Sequence, residues 1–242
     1  MITTTAYFPE STVDISDYLH QEQSLQLLAS YKGIHIKQEC RLITHFRETI
    51  VLQLIPREPL FLEPGQFVYL GFSNLAGALI GRVHELDLFS GQLAVNVISS
   101  SATLYAMRQS NRVQPSHHQE ADIQVSSHRI TACISDICSA GVGMMVFKLA
   151  EKGIQVNTGE IVKIWLPIIP SEFRKPIKGI VANSTILGSS HMTRLGIRLF
   201  PTALQARQLT EYVTDRQQEI LYEMAAAYQK SMEPRRITDL FF

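Results

Sequence analysis

The sequence predicts an all-β fold of two small antiparallel β-barrels, closed off by a C-terminal α-helix. Three observations predict it. Short segments alternate apolar and polar residues at period two, as half-buried strands require. Turn-forming residues punctuate them at regular intervals. Only the C-terminal stretch changes to helical spacing, and a polar segment divides the strands into two series.

Residues 1–24 are polar and mixed, and a short helix is expected around residues 17–28, packed on the first barrel. From Gly33 the alternation begins. Ile34, Ile36, Cys40 and Leu42 fall on one face, His35, Lys37, Glu39 and Arg41 on the other. Further strands are predicted at 49–55, 66–72, 78–86 and 92–98. Turns are read at 56–59, Pro64-Gly65, 74–77 and Ser90-Gly91. Such a series makes an N-terminal split-barrel-like domain over residues 1–105.

Residues 99–119 are polar and read as an interdomain linker. A second series then gives strands at 121–126, 130–135, 142–147, 161–166, 177–187 and 193–200, a six-stranded barrel within a domain of residues 106–242. A helix over 202–230 ends the pattern. Thr202 with Gln205 three residues on is a capping box, and Leu209, Val213, Ile220 and Met224 form an apolar stripe.

Of the 242 residues, 45% are hydrophobic and 18% charged, enough apolar content for packed cores. The formal net charge is zero, so no global field draws the chain onto DNA or an anionic membrane. The halves differ. Residues 1–105 hold 6 Lys/Arg and 10 Asp/Glu, whereas 106–242 hold 16 and 12, so the C-terminal half suits an anionic ligand better. No apolar run reaches the roughly 18–20 residues that span a bilayer, so no membrane insertion is expected. The opening MITTTAYFPE lacks the basic and apolar regions of a secretory signal. Three cysteines without CxxC spacing (Cys40, Cys133, Cys138) fit a reducing cytoplasm.

The functional signal lies in and after the linker. Met107-Arg108-Gln109-Ser110-Asn111-Arg112 places two arginines four apart, and Asp136-Ile137-Cys138-Ser139-Ala140-Gly141 comes some two dozen residues later. These stretches resemble the PilZ signature, RxxxR followed by [D/N]xSxxG. Arg108 and Arg112 match the first motif; Asp136 and Gly141 match the second, with Cys138 where the family usually has serine. The segment from Arg194 to Phe200 resembles the family's closing strand, and the long final helix agrees. The similarity covers about residues 106–230. The order, length and strand pattern of the N-terminal barrel are similar to the accessory domain of YcgR-like flagellar brake proteins.

The resemblance implies a cyclic di-GMP receptor and effector with no catalytic residues, no cofactor and no metal. Its ligand residues would be Arg108, Arg112, Asp136, Cys138 and Gly141. The chemistry suits them. A guanidinium can fork onto a phosphate, donate to guanine O6 and N7, or stack on a base. Four extended residues span roughly 13 Å, so two arginines can grip separate parts of one dinucleotide. Asp136 can accept from guanine N–H groups. Gly141 permits a positive φ and close approach of backbone to ligand. A thiol at 138 hydrogen-bonds more weakly than a hydroxyl, a loss of roughly 0.5–1.5 kcal/mol. Ser139, read as strand, would face the other way. Met107 stands where many members carry a third arginine, and an apolar residue there leans slightly toward one bound ligand over a stacked pair. Ordering residues 99–119 around the ligand would reorient the barrels and regulate a protein partner, by resemblance a flagellar motor component at the basal body.

Other readings attach to particular residues. Cys138 motivates a degenerate PilZ adaptor that binds a protein without nucleotide. The N-terminal barrel could host a flavin, although residues 30–100 hold no phosphate-gripping motif. His117, His118 and His128 read as exposed loop residues, Cys133 as core packing, and Trp165 as a half-buried barrel aromatic. No nucleophile elbow, Walker loop or GxGxxG is present.

Overall fold

The computed structural model describes residues 24–55, 62–72, 78–101, 112–147, 149, 153–169, 175–187 and 192–232. The chain divides into two compact units, one of residues 1–31, 35–109 and 221–242, the other of residues 32–34 and 110–220. Each is built on a closed antiparallel barrel of six strands.

The first barrel contains β1 (Ser24–Tyr31), β2 (Ile34–Phe46), β3 (Thr49–Ile55), β4 (Phe67–Phe72), β5 (Ala78–Asp87) and β6 (Gln92–Ser101). Their order around the wall is β1-β2-β3-β6-β5-β4, and β1 closes the sheet by pairing with β4 from Leu25–Phe72 to Leu28–Tyr69. The helix expected at 17–28 is therefore corrected over its second half. Residues 24–28 are strand, because Leu25 and Leu27 point into the barrel while Ser24 and Gln26 face out, a period of two. Residues 17–23 lie outside the described residues, as do the turns read at 56–59 and 74–77.

The interior is filled by Leu25, Leu27, Ile50, Leu52, Val68, Leu70, Leu79, Leu93 and Val95. Fully burying each such side chain stabilises by about 1.5–3 kcal/mol. Gln38 is also buried; its Nε2 donates to the Ile55 carbonyl at 2.6 Å, which satisfies the amide. Cys40 belongs to this core.

The second barrel contains β7 (Glu120–Val125), β8 (His128–Cys138), β9 (Gly141–Phe147), β10 (Ile161–Trp165), β11 (Ile177–Leu187) and β12 (Met192–Phe200). The order is β10-β11-β12-β9-β8-β7, with β7 and β10 closing the wall. Ile123, Ile137, Val142, Met144, Ile164, Val181 and Leu195 fill the interior. Their alternate neighbours, among them Gly143, Arg194 and Gly196, consequently face outward. Trp165 is half-buried, with the Arg129 guanidinium 4.7 Å from its ring centroid.

Helix α1 (Ala203–Met232) comes after β12. Its capping box forms: Thr202 N–H donates to Gln205 Oε1 at 3.0 Å, and Gln205 N–H returns to Thr202 Oγ1 at 3.4 Å. Leu209, Val213 and Ile220 are buried along one stripe. No helix among the described residues is long and apolar enough to cross a membrane.

Burial pushes the Cys40 thiol up from 9.0 to about 12, with Glu39 adding and a backbone hydrogen bond from Leu27 opposing. The unfolded chain ionises Cys40 near 9.0, while the folded barrel keeps it protonated. This contribution to stability is complete below 9.0 and declines as pH rises toward 12. Urea unfolding between about pH 8 and 11 should lose up to about 1.4 kcal/mol per pH unit from this group above 9. The loss should be shallower in Cys40→Val.

Candidate functional site

The site begins where the register of a strand shifts. Strand β8 carries one extra residue, Ser135, between the pairs Ile134–Met144 and Asp136–Gly143. This bulge turns Asp136 to the outer face, while Ile137 returns to the interior opposite Val142. Ser139 and Ala140 make a two-residue turn, which corrects the strand expected at Ser139. Gly141 opens β9.

Residues 112–119 run alongside. Val113 is fully buried and exchanges two backbone hydrogen bonds with Ile137, at 2.8 and 2.9 Å. The Gln114 N–H donates to the Lys32 carbonyl at 2.9 Å, and the Gln114 carbonyl accepts from Arg216 Nε of α1 at 2.9 Å. Arg216 is only 3% exposed and pairs with Glu219 at 2.8 Å. Gly33, at φ +92°, packs against the Arg112 carbonyl so closely that a Cβ there would overlap it.

Pinned in this way, Arg112 lies beside the end of β8. Its Nη1 donates to Asp136 Oδ1 at 2.7 Å. Arg194 of β12 donates from Nη2 to Asp136 Oδ2 at 3.3 Å, and Ser135 Oγ donates to the same oxygen at 3.2 Å. The side chains are 29% (Arg112), 12% (Asp136) and 39% (Arg194) exposed, so the cluster is half-shielded and open to solvent on one side. Two guanidinium groups on one carboxylate leave an excess positive charge, which favours an anion.

Gly141 completes the group. A methyl added there would stand 3.0 Å from the Ile197 carbonyl, 3.7 Å from Cys138 Sγ and 4.0 Å from Arg112 Nη2. Its φ is not in the left-handed region, which corrects the turn role expected of it; the crowding is what favours glycine here. Cys138 is buried, at 3% exposure. Arg112, Asp136, Cys138 and Gly141 are thus brought together, and Arg108 lies outside the described residues.

The sequence pattern assigns Arg194 to the closing strand and gives it no role. Its approach to Asp136 depends on the β8–β9–β12 register, to which a linear pattern is blind. Gly143 is equally silent in the sequence. A Cβ on it would overlap the Asp136 carboxylate and stand 2.8 Å from Ser135 Oγ, so that side chain lies across the glycine. Cys133, expected in the core, is half-exposed instead, with Sγ 3.1 Å from His118 Nδ1. Cys133 lies on the outer face by alternation with the inward-facing Ala132 and Ile134, and the bulge brings Cys138 to that same face, opposite Gly141. Burial, then Glu120, raises the Cys133 thiol above its ordinary value. No group of three or more candidate metal ligands occurs among the described residues.

No protein-family model matches the chain. No curated protein matches it either. Among solved structures it is similar to YcgR from Escherichia coli in complex with c-di-GMP, at 10% identity over 92% of this chain and 100% of that one, TM-score 0.42. It is similar to the MrkH–c-di-GMP complex of K. pneumonia, at 12% identity over 86% and 93%, TM-score 0.41. It is also similar to the Bacillus subtilis inhibitor of motility MotI/DgrA, at 12% identity over 81% and 96%, TM-score 0.40.

Two outcomes test this geometry. Gly143→Ala should lower stability by about 1–3 kcal/mol in denaturant titration, because the added carbon must displace the Asp136 carboxylate. Under native conditions a thiol-reactive dye should label Cys133 alone of the three cysteines. Cys40 and Cys138 should react only after denaturation.

Proposed function

We propose that the chain is a PilZ-type receptor for cyclic di-GMP, a non-enzymatic effector in the cytoplasm. The observation that carries this reading is the Arg112–Asp136 contact. These residues come from two motifs 24 positions apart, and they meet at 2.7 Å on the outside of a six-stranded barrel. A ligand phosphate competes well for Arg112, because it offers the same charged oxygens as Asp136. Once released, the carboxylate can accept guanine N–H groups. Arg108, four residues before Arg112, would supply a second cationic grip.

Capture of the segment between the barrels by the ligand would change their relative orientation and so regulate a protein partner. By resemblance to flagellar brakes, that partner is a motor component at the basal body. A second reading, an adaptor that ignores nucleotide, draws on Cys138. Its buried thiol sits where the signature has a hydroxyl.

Calorimetric titration of the full chain with cyclic di-GMP, with GTP as control, tests the reading. Saturable binding is expected for the cyclic dinucleotide alone. Arg112→Ala should weaken it about 10- to 150-fold, the value of one charge-assisted hydrogen bond. Cys138→Ser should strengthen it by no more than about tenfold. Wild-type silence reversed by Cys138→Ser would establish the adaptor instead.

A further inference from the structure

Two β-bulges flank a single pair of glycines. In β8 the extra residue Ser135 sets Asp136 opposite Gly143. In β11 the extra residue Ala182 sets Asn183 opposite Gly196. Gly143 and Gly196 are themselves partners across β9 and β12. The row Asp136–Gly143–Gly196–Asn183 therefore crosses four strands of the second barrel on its outer face.

Both polar side chains lean inward over this floor. The Asp136 carboxylate lies over Gly143. The Asn183 carboxamide lies over Gly196, where an added carbon would overlap its Oδ1 and stand 2.9 Å from its Cγ and 3.0 Å from its Nδ2. The carboxylate and carboxamide are thus separated by about one strand spacing, ~4.8 Å. Glycines inside strands and bulges both weaken a sheet, and bulges serve to re-aim side chains. Here both devices sit at one row and bring a carboxylate and a carboxamide over its glycine floor. Asn183 is exposed, and its carboxamide has no hydrogen-bond partner among the described residues. The Asp136 end is held by Arg194 and Ser135.

We infer that Asn183 is a second reader of the ligand and works with Asp136 on the hydrogen-bonding edge of one guanine. This rests on the receptor reading above. Asp136 accepts from N1–H and N2–H, and the Asn183 amide N–H donates to O6. The flat glycine pair lets the base edge come down between them. Adenine presents the reverse pattern, an N6 donor and a bare N1 acceptor, so N1 would confront the carboxylate with no proton between them.

The test is titration of the full chain, wild type and variants, with cyclic di-GMP, cyclic di-AMP and cyclic di-IMP. The last keeps O6 and N1–H but lacks the 2-amino group. Asn183→Ala should weaken cyclic di-GMP and cyclic di-IMP by the same factor, about five- to tenfold, with an unchanged melting temperature. Asn183→Asp should weaken both further, because a carboxylate then faces O6. Unchanged affinity in Asn183→Ala, alongside loss in Arg112→Ala, would overturn the inference and leave the receptor reading intact. A loss of affinity that merely tracks a fall in melting temperature would reduce Asn183 to a structural residue. No binding by the wild type would remove the receptor reading itself, and this inference with it.

Discussion

Two backbone hydrogen bonds, from Val113 to Ile137 and back, hold the candidate site together. They fix residue 112 against the end of β8 at the point where the Ser135 bulge has turned Asp136 outward. Val113 is fully buried, so detaching this segment exposes apolar surface as well as breaking both bonds. The Arg112–Asp136 pair is a consequence of that attachment. An exposed arginine held only by its own ion pair would gain little, since such pairs are worth at most about 1 kcal/mol. Here the backbone has already been ordered, so the side chain alone is left to find its partner.

Other contacts brace the same few residues. Gln114 uses its N–H on Lys32 and its carbonyl on Arg216, leaving neither group of that residue's backbone unpaired. Arg216 is almost wholly buried, and its charge is met by Glu219 one turn along α1. A buried cation without such partners would be expensive. The capping box at Thr202 and Gln205 fixes where α1 begins, and Gln205 also donates to the Lys175 carbonyl at 3.0 Å. The start of the helix is therefore tied to the chain just before β11, and Arg216 is carried at a set distance along it.

Much of the fold is legible in the sequence because alternation at period two is a direct image of barrel burial. Residues 49–55 and 193–200 show this well: every second side chain is buried. The failure at residues 24–28 is instructive. Leu25, Leu27 and Leu28 satisfy a helical stripe as well as a strand, and a segment that short cannot decide between periods. Pairing with β4 decides it. Arg112 and Asp136 are legible as a spaced motif. Arg194, Gly143 and Asn183 are not, because their roles arise from cross-strand register and from two bulges, each of which shifts the facing of every later residue in its strand. Cys133 departs from its expected place in the core for a simpler reason, its alternation with the buried Ala132 and Ile134.

Closure of both sheets has a consequence for how other molecules can approach. In an open sheet the outermost strand presents bare N–H and C=O groups, to which a foreign chain can add itself as another strand. With β1 joined to β4 and β7 to β10, neither barrel leaves an outermost strand. Recruitment by strand addition is thereby closed to these walls, and so is the edge-to-edge polymerisation that accompanies it. A molecule that recognises either barrel must do so through side chains or connecting segments, the parts of a protein that change fastest when specificity is rewritten.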